Sequence, residues 1–145
     1  MDDKDIMDSN VYQIKENDWK IEENDKTITY KLLAYKLSSW SEDTYLVVKS
    51  NKSNKGNNSK EIIIDWNSKD FVFAEHKAFF RFDDDLPDNL DCKASDNRLS
   101  SIILNPDYVY DNLLNCSMLI IRASLEKSKT TRMFDVSKFR NIVKS

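Results

Sequence analysis

Few side chains in this sequence are of a type that does chemistry, and they are scattered. His76, in Ala74-Glu75-His76-Lys77, is the only histidine, so a Ser/His/Asp triad would have to use it. Gly56 is the only glycine. That count rules out the Gly-x-Ser-x-Gly turn that presents a nucleophilic serine, and with it the P-loop and dinucleotide fingerprints. His76 therefore reads as a solvated turn histidine, and no catalytic residue is assigned. Cys92 and Cys116 are the only cysteines. Two sulfurs cannot make a four-ligand zinc site, so they form either one disulfide or two buried thiols.

The densest acidic cluster is Asp83-Asp84-Asp85, with Asp88 and Asp91 close behind. Packed carboxylates suit calcium, which takes six to eight oxygens, but the EF-hand pattern fails here for want of its glycine and its closing glutamate. Paired acids also serve glycoside hydrolysis, although neighbours on one turn rarely span the required gap. A solvated acidic loop is the plain reading, and docking to a basic partner is the functional one. No metal or cofactor is expected.

Arg81 and Arg122 interrupt apolar strands, in Phe79-Phe80-Arg81-Phe82-Asp83 and Leu119-Ile120-Ile121-Arg122-Ala123. By strand alternation Arg81 shares a face with Phe79 and Asp83, whereas Phe80 and Phe82 point the other way. Such arginines serve either a strand-face ion pair or recognition of an acidic ligand. Among Trp19, Trp40 and Trp66, aromatic residues on half-buried strands are usually core. Trp40, in the polar run Ser38-Ser39-Trp40-Ser41, is the one expected at the surface. Candidate partner-binding residues are thus Trp40, Trp66, Arg81, Asp83, Asp84 and Asp85.

These residues have to be positioned by a single domain of 145 residues. A chain of this size buries roughly 68–70% of the surface its unfolded form exposes. Its 40% hydrophobic content, with 3 Trp, 6 Tyr and 7 Phe, is that of a folding chain despite 32% charged residues. The net charge of −3 lacks the basic stripe by which nucleic-acid binders neutralise phosphate, so nucleic acid is not an expected partner. No stretch approaches the roughly 18–20 apolar residues of a membrane-spanning helix. The acidic start MDDKDIMDSN is unlike a signal peptide. The sequence as it stands reads as cytoplasmic, or as periplasmic if an export signal has been trimmed from it.

Asn, Asp and Ser must make most of the turns. Residues 1–10 read as a disordered segment ahead of one domain over 11–145, and the polar run 50–60 as a long hairpin loop. Strands are predicted from Trp19, over Thr27–Leu37 with a bulge or a switch of face at Leu32-Leu33 (a helix over Lys31–Leu37 being the rival reading), and at Thr44–Lys49, Glu61–Trp66, Phe71–Ala74, Ala78–Asp83, Leu90–Ser95 and Leu99–Leu104. A final pair follows at Met118–Leu125 and Thr130–Val136. Asn105-Pro106-Asp107 looks like the capped start of a short helix over about 106–115. Ser137 is expected to cap a C-terminal helix with Phe139, Ile142 and Val143 on its apolar face. The architecture is mainly β, a sandwich or a partly open barrel of short antiparallel strands.

The order Thr44-Tyr-Leu-Val-Val-Lys49, Glu61-Ile-Ile-Ile-Asp-Trp66, Phe80-Arg-Phe-Asp83, Cys92-Lys-Ala-Ser-Asp96, Met118-Leu-Ile-Ile-Arg122 and Phe134-Asp-Val-Ser137 resembles the VasI-like accessory proteins of type VI secretion loci. The likeness covers about residues 44–143. Cys92 stands where that family has tryptophan, Lys138 replaces its glycine, and its usual export signal is missing. The resemblance implies an all-β accessory domain of bacterial or phage origin that binds another protein and carries no catalytic residues. The alternative is an intracellular inhibitor, a toxin-immunity or phage counter-defence protein, whose acidic surface masks a basic site on an enzyme. A hydrolase with an unrecognised carboxylate pair is a third reading.

Overall fold

The computed structural model describes residues 18–35, 43–52 and 59–143. Its strands, in chain order, are β1 (Lys20–Glu23), β2 (Thr27–Leu33), β3 (Tyr45–Asn51), β4 (Ser59–Asp65), β5 (Glu75–Phe82), β6 (Asp88–Ala94), β7 (Ser100–Ile103), β8 (Met118–Ser124) and β9 (Lys129–Asp135). Two short helices are present, α1 (Pro106–Leu113) between β7 and β8, and α2 (Phe139–Ile142) after β9. All nine strands lie in one antiparallel sheet, in the order β1-β2-β3-β4-β7-β6-β5-β8-β9. Four strands run as a meander, the next three are laid down in reverse, and a closing hairpin pairs with β5. Of the two forms the sequence predicts, the sheet takes the second, a curled half-barrel.

The curl follows from the alternation of apolar residues along the strands. β2 places Ile28, Tyr30 and Leu32 inside, β4 Ile62 and Ile64, β5 Ala78, Phe80 and Phe82, and β8 Leu119, Ile121 and Ala123. One face of most strands is then apolar, and a twisted sheet buries that face by wrapping around it. α1 packs on β4 with Val109 and Leu113 buried. α2 contributes Phe139, whose ring meets those of Trp19, Tyr30 and Tyr110 at 4.9–5.5 Å. At one rim the end strand β9 reaches the residues just past β2 and just before β3. Just past β2 the Tyr35 N–H donates to the Met133 carbonyl of β9 at 2.8 Å, and Arg132 Nε donates to Thr44 Oγ1 at 3.0 Å.

Four local expectations are corrected. β2 keeps its register to Leu33 opposite Tyr45, so there is no bulge at Leu32-Leu33. The second buried side chain there is Tyr35, covered on the outside of the sheet by Ile120 and Met133. Residues 71–74 form no strand. Their backbone groups are taken up by two hairpin tips, with Val72 N–H donating to the Arg98 carbonyl and Glu126 N–H to the Phe71 carbonyl, each at 2.9 Å. Asn105 makes no side-chain cap on α1, which begins on Pro106. Ser137 does not cap α2 either, because its hydroxyl is drawn to Asp135 Oδ1 at 2.6 Å.

Candidate functional site

The outward face of β5, β8 and β9 is where charge and exposed apolar surface coincide. On β5 the outward residues are Lys77, Phe79 and Arg81, and on β8 they are Ile120, Arg122 and Ser124. The register sets Phe79 opposite Arg122 and Arg81 opposite Ile120. β9 extends the same rows, with Thr131 opposite Arg122 and Lys129 opposite Ser124. Directly paired residues in a sheet are near neighbours, so side chains far apart in sequence form one surface here. A cleft of about 430 Å³ runs over it, floored by Phe79, Pro87 and Ile120 and edged by Lys77, Arg81, Arg122 and Lys129. Phe79 is 48% exposed. A half-exposed phenylalanine in mid-strand, ringed by four cations, has no role in the core.

Two of the cations face carboxylates in exposed pairs. Lys77 Nζ lies 3.0 Å from Asp91, both well exposed, and an Arg81 nitrogen lies 3.9 Å from the fully exposed Asp84. Exposed pairs of this kind contribute about 0–1 kcal/mol. Arg122 Nε donates to Thr131 Oγ1 at 2.9 Å, which fixes the guanidinium against the sheet.

The acidic run behaves differently from a single docking surface. Asp83 has a left-handed backbone, φ 54°, a conformation aspartate tolerates better than most residues. Its Oδ1 accepts the N–H groups of Ser117 and Met118 at 2.8 and 2.9 Å, tying the end of β5 to the start of β8. Asp88 accepts the Tyr108 hydroxyl, while Asp84 and Asp91 face Arg81 and Lys77. Asp85 is exposed. Asp83→Ala is therefore expected to destabilise the protein by about 2 kcal/mol, through lost charge-assisted bonds and backbone strain. Asp83→Asn, which keeps the acceptor, should cost less than half of that in urea unfolding. Equal losses for the two would show that the bonds are unimportant.

Trp66, named above as a partner-binding candidate, is 1% exposed and belongs to the core. Trp40 lies outside the described residues. Cys92 and Cys116 are buried free thiols, each pushed up to about 12 by burial.

His76 is not the solvated turn residue the sequence predicts. It is half-buried on the inner side of β5, with Nε2 2.7 Å from Ser101 Oγ and Nδ1 2.9 Å from the Phe73 carbonyl. Trp66 Nε1 donates to the same Ser101 Oγ at 2.9 Å. One consistent proton order satisfies the chain. Nδ1–H donates to Phe73, Ser101 O–H donates to Nε2, and the indole donates to Ser101, so His76 is held neutral. A serine and histidine at this distance form the geometry of a nucleophile and its base. Ser101, however, is fully buried with the tryptophan filling its acceptor, and the arrangement leaves a substrate no approach. Nothing local to His76 signals this, because Ser101 and Trp66 come from other strands.

Burial pushes the His76 pKa below its ordinary 6.5, outweighing the opposite pull of the Phe73 carbonyl. For a base held neutral in the fold, the unfolded chain binds the extra proton first as pH falls. Stability from this group is then complete above about 6.5 and is lost as pH falls below it. Urea midpoints should drop between pH 7 and 5, and His76→Gln should flatten that slope. A parent midpoint that is level over this range would refute the assignment.

Among the described residues, no cluster of His, Cys, Asp and Glu could hold a metal ion, and no helix is long and apolar enough to cross a membrane. Comparison with protein-family models, with curated proteins and with solved structures gave no match.

Proposed function

We propose that this protein is a non-catalytic binding domain that engages another protein through the outward face of β5 and β8. The observation that carries the reading is the cleft itself, an exposed phenylalanine beside the buried Ile120 floor, edged by Lys77, Arg81, Arg122 and Lys129 on a chain of net charge −3. Interfaces concentrate their energy in aromatic and arginine anchors of this kind. A local basic surface on an acidic protein selects an acidic partner, since complementary charge steers encounter and repels wrong partners. The VasI-like resemblance of residues 44–143 implies the same class of role, an accessory domain that binds a protein. An inhibitor docking through its aspartates has less support, because Asp83 is engaged by the backbone of Ser117 and Met118.

The test is site-specific photocrosslinking in the cell of origin. A benzophenone side chain at Phe79 should capture a partner protein, whereas the same group at Ile21, exposed on the far edge strand, should not. Equal capture at both positions, or none at Phe79, would sink the proposal.

A further inference from the structure

We infer that the cleft reads an extended segment of its partner with the pattern acid-x-apolar-x-acid. This rests on the reading just given and specifies its ligand. Arg81, Phe79 and Lys77 alternate on one strand, so they mark steps of roughly 7 Å along β5. At each step β8 and β9 add a neighbour. Ile120 stands beside Arg81, Arg122 beside Phe79, and Ser124 and Lys129 lie level with Lys77. The surface therefore runs from a cation, through an aromatic centre with its own arginine, to a pair of lysines.

An extended peptide laid along β5 and β8 has the same roughly 7 Å period for side chains of one face. Its residues i, i+2 and i+4 then fall over Arg81 with Ile120, over Phe79 with Arg122, and over Lys77 with Lys129. The chemistry at those stations calls for a carboxylate, an apolar side chain against the Phe79 ring and a second carboxylate, with Arg122 at the level between the two acids.

The rim sets the length. Asp84 stands beyond Arg81 and Glu75 beyond Lys77 in the same outward row, while Asp91 faces Lys77 from β6, so negative charge bounds the basic patch along β5 and at its side. A long polyanion such as single-stranded nucleic acid would run its phosphates over those carboxylates. A short segment with two acids stays between them. Charge complementarity and this confinement favour an acidic peptide over a nucleic acid.

The experiment is fluorescence anisotropy with labelled peptides on the full chain. The core sequence Glu-Ser-Leu-Ser-Glu should bind at least about tenfold tighter than Glu-Glu-Leu-Ser-Ser, which has the same composition but adjacent acids, and than Glu-Ser-Ser-Ser-Glu. The Arg122→Glu variant, checked for folding by circular dichroism, should bind none of them detectably. Equal binding of the two isomeric peptides, lost in Arg122→Glu, would overturn the spacing and leave the acidic-partner reading standing. No peptide binding above that of Arg122→Glu, or tighter binding of oligothymidylate than of any peptide, would overturn both.

Discussion

Arg122→Glu is expected to weaken binding of an acidic partner by about a hundredfold while shifting the melting temperature by only a few degrees. Arg122 occupies the middle of the cleft, opposite Phe79 on one side and Thr131 on the other. A charge-assisted hydrogen bond to a carboxylate contributes about 1.5–3 kcal/mol. Reversal removes that and adds repulsion, and about 2.8 kcal/mol already corresponds to a hundredfold. The fold should tolerate the change. The side chain is on the outer face, and its bond to Thr131 is of the kind that contributes only about 1 kcal/mol. Arg122→Lys should fall between, since lysine keeps the charge and loses the planar fork. Because the site is open to solvent, the parent affinity should also fall steeply between low and physiological salt. Affinity unchanged in Arg122→Glu at low salt would rule the cleft out as the binding face.

Much of this was legible before any coordinates. The alternation in Phe79-Phe80-Arg81-Phe82 assigns each side chain to its face, and β5 obeys it. The same holds for Arg122 among the isoleucines of β8. The sequence does not state that β5 and β8 are neighbours. Between them come two strands and α1, and the pairing of β4 with β7 is what brings the last hairpin beside β5. Register is long-range information, so the two arginines are each visible alone while the cleft they share is not. Lys77 and Lys129 went unnoticed for the same reason, as lysines on exposed strand positions carry no local signal.

The aspartates show the opposite failure. Five acids within nine residues look like one surface when read along the chain. In the fold a left-handed turn at Asp83 sends its carboxylate to the backbone of Ser117 and Met118, and alternation along β6 puts Asp88 and Asp91 on opposite faces. Proximity in sequence overstated their proximity in purpose. The segment 71–74 failed on composition. Phe-Val-Phe-Ala has strand propensity, but Phe71 and Phe73 are exposed with only Val72 buried, and the backbone bonds to turns instead of a strand.

Trp66→Ala is expected to be the most destabilising single change at a sequence-named candidate, at about 3–5 kcal/mol. Trp66 is among the largest fully buried side chains, and it sits just past β4, where the two halves of the sheet order join through the β4–β7 pair. Truncation leaves a cavity on that seam and withdraws the indole donor from Ser101. The Thr44 hydroxyl, which donates to the Trp66 carbonyl at 3.1 Å, keeps its acceptor only if the local backbone holds its place. For a domain of this size the melting temperature should fall by roughly 10–20 °C. Trp66→Phe separates the two contributions. It retains most of the ring volume and loses the hydrogen bond, so a cost of about 1–2 kcal/mol is expected. The same substitution bears on His76, because Ser101 then has a free acceptor site into which a protonated Nε2 can donate. The low-pH loss of stability should therefore be shallower in Trp66→Phe than in the parent. An identical pH slope in the two proteins would mean that the indole takes no part in holding His76 neutral.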